Sequence, residues 1–459
     1  MSVLRKILIA NRGEIAVRII RACRNLGIRS VAIYTEEDAQ SFHVQLADQR
    51  ICIGTGPTSY LNKEQIITAA LNFGADGIHP GYGFLSENEA FAKLCHENNL
   101  VFIGPSAEVI ARMGNKSEAR ITMKKAGVPI VPGSEGAIFD ADAGLIEARK
   151  IGFPVIIKAS SGGGGKGMRI AKNEAEFIAQ FNIAQTEAAN GFGDDTMYIE
   201  HYVEKPKHVE IQIMADTHGN VVSLGERDCS VQRNHQKLIE ESPSPAISRE
   251  TATQMGRDAV GAAAAVGYVN AGTIEFIVDA KGNYYFMEMN TRIQVEHGVT
   301  EMVTGTDLIM EQIRVAMGEV LSFTQEDIKL TGHAIECRIN AEIPEKNFMP
   351  SPGKVMHLHL PAGNGVRVDT GLYTGYHVPS EYDSMIAKIL VHAPTRTEAI
   401  RKMRTALEET LIMGVQSNLD FQYQILRNPV FVEGKADTGF VHQMLNLDPD
   451  VGRLEEYAP

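Results

Sequence analysis

Strand-like and helix-like hydrophobic patterns alternate along the first 113 residues of the chain. Lys6–Ala10 is a short apolar run typical of a buried strand, and the apolar residues after it recur at helical spacing, at Ile15, Ile19, Cys23 and Leu26. A strand over Ser30–Tyr34, a helix over about Lys63–Phe73 and a strand over Leu100–Ile103 continue the rhythm. This β-α-β order predicts a parallel sheet covered by helices.

Two polar loops follow strands of this predicted sheet. Ligands of parallel sheets lie at the carboxyl ends of the strands, where Asn11–Glu14 and His79–Phe84 are placed. The first loop lacks the GxGxxG fingerprint of dinucleotide sites, so residues 1–113 are predicted to form a substrate-side or scaffolding domain rather than an NAD site. Ser86 and Glu89 have the spacing of a capping box ahead of a helix through Leu94.

A glycine-rich segment joins two predicted strands further along the chain. The first strand, Phe153–Ala159, carries Lys158, and the segment after it contains Gly162, Gly163, Gly164 and Gly165. Glycine backbones can close over anionic oxygens, and Lys158 and Lys166 supply positive charge. We predict a mobile phosphate lid, with a flexible hairpin loop as the alternative. A Walker A loop is excluded, because Gly167 stands where Ser or Thr is required.

Two more strands precede a long polar run. Tyr198–Val203 carries Glu200, and His208–Met214 alternates polar and apolar residues, so that His208, Glu210 and Gln212 share one face. On this pattern alone the favoured interpretation of His208 is a solvent-facing sheet residue. The polar run Gly225–Lys237 is predicted to be a functional or disordered loop.

The stretch from Gly272 to His297 reads as a β-hairpin with two acids on one face. Its strands are Thr273–Val278 and Asn283–Met289, and a turn centred between Lys281 and Gly282 would place Glu275 opposite Glu288. Facing carboxylates repel unless a cation lies between them, and Mg²⁺ prefers such oxygens. Alternation adds Asn290 and Arg292 to the same face. An edge hairpin with its acids in solvent is the alternative.

The last third of the chain changes character. A strand over His333–Asn340, short strands at Val355–Leu360 and Val366–Asp369, and two helices predict an antiparallel sheet with helices. The fold class is therefore α/β with an α+β part. Three domains are predicted, over residues 1–113, 114–330 and 331–445, the second with its lid over about 131–203.

Composition narrows the class of protein. The net charge is −13, which argues against a nucleic-acid partner, and the apolar runs are too short for a membrane span or a signal peptide. The five cysteines are scattered without a CxxC pair, which is typical of a reduced, cytoplasmic protein, and their spacing argues against a zinc or redox role.

The chain resembles biotin carboxylase, an ATP-grasp ligase, over essentially its full length. The matching motifs are KILIANRGEIAVRI, HPGYGFLSEN, IIKASSGGGGKGM, ERDCSVQRNHQK, FMEMNTRIQVEH, GHAIECRINAE, PSPGKV and YDSMIAK. The resemblance implies a three-domain fold with ATP held beneath a mobile lid. It also implies the reaction, in which ATP, bicarbonate and protein-linked biotin give carboxybiotin, ADP and phosphate.

Site residues follow from the resemblance, position by position. The implied ATP-site contacts are Lys116, Lys158, Gly162 to Gly165, Met168, Glu200, Tyr202, Val203, His208, Gln232 and His235. The implied ligands for Mg²⁺ or Mn²⁺, with two ions expected, are Glu275, Glu288 and Asn290. The implied bicarbonate and biotin centre contains Arg292, Gln294, Val295, Glu296, Lys237 and Arg338, with Glu296 as the base. Three residues depart from the family pattern: Asn234, Gly298 and Ile343.

The resemblance also implies partners. The chain has no Met-Lys-Met biotinylation motif, so a biotin carboxyl carrier protein and a carboxyltransferase are expected on separate chains, with the enzyme itself a homodimer. Acetyl-CoA carboxylase is the expected complex. A pyruvate or 2-oxoglutarate carboxylase, a non-catalytic scaffold subunit, and another ATP-grasp ligase acting on an amine or peptide are the alternatives. A decayed scaffold should have lost some of the site residues above, and all are present.

Overall fold

The structure is a computed structural model that describes residues 4–159, 168–192 and 194–447. The strands are β1 Lys6–Ile9, β2 Arg29–Tyr34, β3 Gln49–Cys52, β4 Gly77–His79, β5 Val101–Phe102, β6 Val155–Ala159, β7 Met168–Ala171, β8 Met197–His201, β9 Lys207–Ala215, β10 Val221–Arg233, β11 Gln236–Ser242, β12 Asn270–Val278, β13 Tyr284–Asn290, β14 His333–Asn340, β15 Glu342–Ile343, β16 Met349–Pro350, β17 Gly353–Lys354, β18 His357–His359, β19 Val366–Thr370, β20 His377–Val378, β21 Met385–Ala393 and β22 Leu411–Met413.

The helices carry the remaining regular structure. They are α1 Gly13–Asn25, α2 Phe42–Leu46, α3 Lys63–Asn72, α4 Glu89–Glu97, α5 Ala107–Gly114, α6 Lys116–Lys125, α7 Ala141–Ile151, α8 Glu174–Phe192, α9 Arg249–Ala265, α10 His297–Thr304, α11 Leu308–Ala316, α12 Arg396–Glu409, α13 Leu419–Arg427, α14 Pro429–Val432 and α15 Phe440–Leu447. Short 3₁₀ turns lie at Glu36–Asp38, Pro57–Leu61, Gln325–Asp327 and Pro344–Lys346.

The chain divides into two compact units. The first contains the residues up to Val128, Lys207–Phe276 and the residues from Met287 onward. The second contains Pro129–Pro206 and Ile277–Phe286. The predicted lid, residues 131–203, falls within the second unit, and its motion remains a prediction.

The N-terminal sheet of the first unit is parallel, as predicted. Its strand order is β3-β2-β1-β4-β5, and every pairing in it is parallel. Ile7, Leu8 and Ile9 are fully buried, because helices cover both faces of a parallel sheet. The predicted capping box is wrong: α4 begins at Glu89, so the cap is Asn88, whose side chain accepts the N–H of Phe91 at 2.9 Å.

An eight-stranded sheet runs through the rest of the first unit, in the order β13-β12-β9-β10-β11-β14-β21-β19. The prediction of a loop over Gly225–Lys237 is therefore wrong. This segment forms the end of β10, a tight turn and the start of β11. The polar side chains of its β10 part, from Glu226 to Gln232, are buried, whereas those of the turn are exposed. Of the strands predicted for the C-terminal region, His333–Asn340 and Val366–Asp369 match β14 and β19 of this same sheet, whereas the predicted Val355–Leu360 contains β18, which pairs with β22 in a separate two-stranded sheet.

Helices cover both faces of the sheet near β14. One face carries the apolar cluster that includes Ile335, Cys337 and Ile339, together with residues of α12 and α13. The opposite face packs against α10 through Val299, Val303, Ala334 and Leu390. Polar residues on that second face are therefore removed from solvent, and each of them needs a partner.

The second unit is a three-stranded sheet with two helices. The strand order is β7-β6-β8, and both pairings are antiparallel. Its inner face packs Ile157 and Ile199 against Phe177 and Phe181 of α8. Side chains alternate between the two faces of a strand, so Lys158, the neighbour of Ile157, lies on the outer face.

Among the described residues, no helix combines the length and the apolar character that crossing a bilayer requires.

Phe177→Ala should unfold the second unit more easily. Phe177 is fully buried, and its removal leaves a cavity under the sheet, so we expect a loss of about 3–5 kcal/mol in the free energy of unfolding. Ile183→Ala on the same helix is the matched control, because Ile183 is 44% exposed and should lose less than about 1 kcal/mol. Urea unfolding followed by circular dichroism measures both variants, and equal losses would contradict the assigned core.

Candidate active site

A single lysine lies among three buried carboxylates of the first unit. The Nζ of Lys237, on β11, donates to acids from β9, β12 and the segment before α10, at 2.7 Å to Glu210, 3.0 Å to Glu275 and 2.6 Å to Glu296. Burial opposes the charged amine, but the groups around it, Cys229 and Glu210 foremost, outweigh burial and raise the pKa of Lys237 well above its usual range. One cation thus stabilises three acids that would otherwise repel one another.

Arg227, on β10, fixes the other side of Glu210. The guanidinium is fully buried and donates from Nε to Glu210 Oε1 at 2.6 Å. Its remaining donors reach neutral oxygens, at 2.7 Å to Gln212, 3.0 Å to Thr300 and 3.2 Å to Thr273. A buried arginine with this many acceptors is rigid, and it holds Glu210 towards Lys237.

Glu296 lies between two cations. Its Oε1 accepts from Lys237, and its Oε2 accepts from Arg338 at 3.0 Å. Burial would raise the pKa of Glu296, but the charges of Lys237, Arg338 and Arg227 outweigh burial and hold the pKa well below its usual range. The same Arg338 donates from Nε to Glu240 at 2.5 Å. Glu296 is therefore ionised.

Glu275 is surrounded by donors. Its Oε1 accepts from Asn290 Nδ2 and from Gln294 Nε2, each at 2.9 Å, besides Lys237. The Nε2 of His208 lies 2.9 Å from Glu275 Oε2. Burial would raise the pKa of Glu275, but the charges of Lys237 and His208 outweigh burial and lower the pKa below its usual range. The carboxylate is therefore ionised. His208 is only 5% exposed, so the interpretation of a solvent-facing residue is wrong.

Arg292 forms a bridge to the N-terminal segment. Its Nε donates to Glu87 Oε2 at 2.8 Å, and Glu87 also accepts the backbone N–H of Thr291 at 2.9 Å. Its other nitrogens donate to Gln294 Oε1 at 2.8 Å and to Asn290 Oδ1 at 2.9 Å. These contacts aim the guanidinium at the same group of side chains that surrounds Glu275.

The carbonyl of Val295 is held by a buried lysine. Lys388, on β21, donates to Val295 O at 2.7 Å and lies 3.1 Å from Glu14 and 3.8 Å from Asp369. Glu14 in turn accepts a hydrogen bond from the hydroxyl of Tyr82. Lys388 thus fixes the backbone immediately before Glu296.

The second unit brings three predicted residues to one face of its sheet. The predicted residue Lys158 on β6 pairs directly with the predicted residue Met168 on β7 and also with Tyr198 on β8. The side chains of these paired residues lie on the same face. Glu200 lies on that face as well, and its carboxylate forms an ion pair with Lys158. Two other predicted residues follow β8: Tyr202 and Val203, the latter 6% exposed.

The turn between β10 and β11 positions two predicted residues differently. Gln232 is buried at 9% exposure, whereas His235 is exposed in the turn. The turn consists of Asn234 and His235, with φ of 49° and 65°, between the paired residues Arg233 and Gln236. Consecutive positive φ values are typical of a type I′ turn, which asparagine tolerates, so Asn234 suits this position on backbone grounds.

Gly298 also has a local explanation. A Cβ at this position would lie 2.4 Å from Leu390 Cδ2, so glycine lets α10 pack closely on the Leu390 side chain of β21. Ile343 lies in β15, beside the 3₁₀ turn that begins at Pro344.

Some predictions fall outside the described residues. The glycines Gly162 to Gly165 lie there, and so does the side chain of Lys116, the first residue of α6. Their assignment to a phosphate lid and to the ATP site stays a prediction.

The hairpin exists, but its turn is shifted. The N–H of Asp279 donates to Asn283 O at 2.9 Å, and the Asp279 carboxylate accepts the N–H of Lys281 at 2.8 Å. These bonds centre the turn on Lys281, so the centre predicted half a residue later is wrong. Glu275 is 4% exposed, whereas Glu288 is exposed to solvent.

The donor set fits a hard cation. His208, Glu210 and Glu275 present atoms that all lie within 4.8 Å of one another, and Asn290 adds an amide beside Glu275. Carboxylate and amide oxygens are the ligands that Mg²⁺ prefers. Within the described chain, Glu288 is not part of such a group, so its role as a ligand remains a prediction.

Several residues of the site were not predicted. Glu210 lies two residues from His208 on the same strand face, so alternation could have found it. Glu87 and Glu240 reach the site only through the fold, since Glu87 contacts Arg292 from 205 positions away.

Three family models match consecutive parts of the chain. They describe the biotin carboxylase N-terminal domain at residues 3–110, the ATP binding domain of carbamoyl-phosphate synthase L chain at 115–324, and the biotin carboxylase C-terminal domain at 336–443. The chain belongs to the biotin carboxylase family. It is an ATP-grasp ligase by that membership.

Similar proteins span nearly the whole chain. Biotin carboxylase 1 of Bacillus subtilis is 57% identical over 95% of this chain and 98% of its own. A solved 2-oxoglutarate carboxylase biotin carboxylase domain dimer of Hydrogenobacter thermophilus, in complex with MgADP, ADP and bicarbonate, is 48% identical, covers 100% of both chains and has a TM-score of 0.90. The solved biotin carboxylase subunit of a pyruvate carboxylase is 50% identical, covers 99% of this chain and 100% of its own, and has a TM-score of 0.89.

Lys237→Met should destabilise the first unit strongly. Three buried carboxylates would lose a common cation, and we expect a loss of about 3–5 kcal/mol in the free energy of unfolding. Without Lys237 the pKa of Glu296 rises in the folded protein, so ionised Glu296 no longer stabilises the fold at neutral pH. The loss of stability relative to the wild type should therefore be larger at about pH 8 than at about pH 5.

Lys93→Met is the matched control for that experiment. Lys93 is exposed and lies 3.9 Å from Glu97, so its removal should cost about 0.5 kcal/mol or less at either pH. Thermal unfolding at both pH values measures the two variants. A deficit of Lys237→Met that does not grow with pH would contradict the assigned charge balance.

Proposed function

We propose that this chain carboxylates biotin on a separate carrier protein, using ATP and bicarbonate, as the first half-reaction of acetyl-CoA carboxylase. The observation that supports this most directly is the arrangement of Glu296 between Lys237 and Arg338. A buried base between two cations suits a reaction in which one small anion attacks another. Membership of the biotin carboxylase family supplies the reaction class.

The first chemical step joins bicarbonate to the γ-phosphoryl group. A bicarbonate oxygen attacks phosphorus, the bond to ADP breaks, and Glu296 accepts the bicarbonate proton. Lys237 and Arg292 would hold the two anions close together, since electrostatic positioning contributes most to phosphoryl transfer. A bound anion would draw the cations away from Glu296 and so strengthen it as a base.

The second step moves carbon to biotin. Carboxyphosphate breaks down to CO₂ and phosphate, the released phosphate accepts the ureido N–H proton, and the nitrogen then attacks CO₂. Arg338 would hold the ureido oxygen, on which negative charge develops, because its planar fork fits a planar anion. Carboxyphosphate is labile, so water must be excluded while it exists.

A divalent cation completes the proposed site. Glu275 and Asn290, together with the predicted ligand Glu288, would hold Mg²⁺ or Mn²⁺, with two ions proposed. The ion would neutralise charge on the phosphate oxygens. Lys116, Lys158, Glu200 and His208 are proposed to contact ATP, with Gly162 to Gly165 above the phosphates.

The proposed partners follow from the relatives. The Bacillus subtilis protein matches over 98% of its own length and is named only as a biotin carboxylase, which supports a carrier and a transferase on separate chains. The Hydrogenobacter thermophilus domain is described as a dimer, which supports a homodimer here. Exposed apolar side chains on the β18–β22 ribbon and beside it are available for association: Met356, Leu411 and Met413.

A different acceptor is the second candidate. Close structural relatives come from 2-oxoglutarate and pyruvate carboxylases, so a subunit of either complex has direct support. The acceptor is chosen by the transferase, and both candidates share the half-reaction described above.

Free biotin should stimulate ADP release by the purified chain. ATP and bicarbonate with Mg²⁺ should give slow turnover, and high concentrations of free biotin should raise it, because biotin consumes the carboxyl group. A coupled ADP assay measures the rate, with bicarbonate-depleted buffer as the control. A rate that does not respond to biotin would contradict the proposed function, and a complete lack of ADP release would favour the non-catalytic scaffold.

Glu296→Ala should lower turnover by about 10²-fold or more, the scale of losing a general base. Binding of ATP should stay near the wild-type value, since Glu296 is assigned to the bicarbonate. Glu319→Ala, at an exposed acid, is the control and should behave as wild type. Fluorescent nucleotide titration and the ADP assay separate binding from turnover, and unchanged turnover would remove Glu296 from the role of base.

A further inference from the structure

Two buried acids face each other beside the catalytic residues. Glu240 on β11 pairs directly with Glu336 on β14, and both are fully buried. Within the described part of the chain, Glu240 Oε2 and both carboxyl oxygens of Glu336 have no hydrogen-bond partner. If both carboxylates were ionised in this position, they would repel each other and lack hydrogen-bond donors. Burying unpaired charges in this way is strongly unfavourable.

The cations nearby are already engaged. Arg338 is shared between Glu240 and Glu296, and Lys237 is shared among three acids. Lys388, on the neighbouring strand β21, is bound to Val295 O and lies close to Glu14 and Asp369. The groups that face the pair from the surrounding elements are Arg338, Lys237, Lys388, Glu296, Cys229 and Tyr82. Within the described residues Glu336 therefore forms no ion pair, although Lys388 lies close enough to act on its charge.

The balance of charge places protons on the pair. Burial raises the pKa of Glu240 to about 7, although Arg338 opposes the shift. Burial raises the pKa of Glu336 well above its usual range; the charge of Lys388 opposes this shift, and the charge of Glu240 adds to it. Gly298 on α10 lies against Glu336, where an added Cβ would come within 3.4 Å of Oε2, so the acid is covered by backbone rather than by a donor side chain.

We propose that Glu240 and Glu336 are a proton-holding pair that positions Arg338: the pair holds a proton at neutral pH and gains a second one from solvent when Arg338 leaves Glu240 for the substrate. The inference rests on the proposed function, because it assigns Arg338 to the ureido oxygen of biotin. Ionised Glu240 competes with that oxygen for the guanidinium, and protonated Glu240 does not. Both acids are positioning residues that act through Arg338.

The pair makes biotin affinity depend on pH. As pH rises through the range in which Glu240 loses its proton, Arg338 is held more firmly, and the KM for free biotin should rise, by up to about tenfold per pH unit for one proton. Glu240→Gln should remove this rise between about pH 7 and pH 8.5, while the KM for ATP keeps its wild-type value at each pH. A purely structural role would change stability and leave the pH profile of KM in place.

Glu241→Gln is the matched control for kinetics. Glu241 follows Glu240 on β11 but points to the other face, where it accepts from Arg396 and His333. This variant should keep the wild-type rise of KM with pH. If Glu240→Gln keeps it as well while biotin still stimulates turnover, the inference is overturned and the proposed function stands. If biotin fails to stimulate the wild type, the proposed function falls, and the link to Arg338 falls with it.

A spectroscopic measurement tests the proton without activity. At neutral pH the infrared spectrum of the wild type should contain the C=O stretch of a protonated carboxylic acid that the spectrum of Glu336→Gln lacks. The band should therefore appear in the difference spectrum of the two proteins. An ionised carboxylate signal in its place would overturn the inference.

Stability gives a second readout of the same variant. Acids with raised folded pKa lose stability as pH rises, so Glu336→Gln should equal or exceed the wild type in melting temperature above about pH 7. Glu301→Gln is the contrasting control. Burial raises the pKa of Glu301, but Arg18 and Arg367 lower it to about 2, and the variant should melt well below the wild type at the same pH. A matching loss for Glu336→Gln would show an ionised Glu336 and overturn the inference.

Discussion

Charge neutralisation inside a dry volume is the constraint on which the first unit depends. Glu210, Glu275 and Glu296 are buried around the one ammonium group of Lys237, and Arg227 neutralises the far side of the cluster. Removing either cation would leave unpaired carboxylates in a medium of low dielectric constant, which costs far more than an exposed pair. The same constraint fixes the positions of these side chains, because the carboxylate oxygens must stay within hydrogen-bond distance of their donors.

Rigid strands make that arrangement possible. The eight-stranded sheet has helices packed on both faces near β14, so polar residues on its strands point into protein rather than water. Glu210, Lys237 and Arg338 each occupy a fixed position of a hydrogen-bonded ladder, and their spacing follows from the register. The acid Glu296 comes from the segment before α10, and Lys388 holds the adjacent carbonyl of Val295.

The sequence predicts the elements well and the buried polar contacts less well. Periodicity finds the parallel sheet and the strand His333–Asn340, because apolar spacing reflects the core directly. It misjudges Gly225–Lys237, because a run of polar residues normally indicates exposure, and here the residues satisfy one another inside the sheet. Glu87 could not be found, since its contact with Arg292 joins parts of the chain that only folding brings together. The family resemblance supplied most site residues, and alternation alone supplied few.

A carboxylate that is held by two cations is a weak base, and under the proposed function this property decides when Glu296 can accept a proton. Lys237 and Arg338 lower the proton affinity of Glu296, so the resting site does not take protons from water. An incoming anion that shares those cations removes part of their effect on Glu296, and proton affinity then increases only where the anion is bound. Arg338 has one further partner, Glu240, so the strength of its hold on Glu296 and on substrate depends on that acid as well. Burial therefore does more than shield the reaction from water: it couples the charge state of each acid to the position of the cations between them.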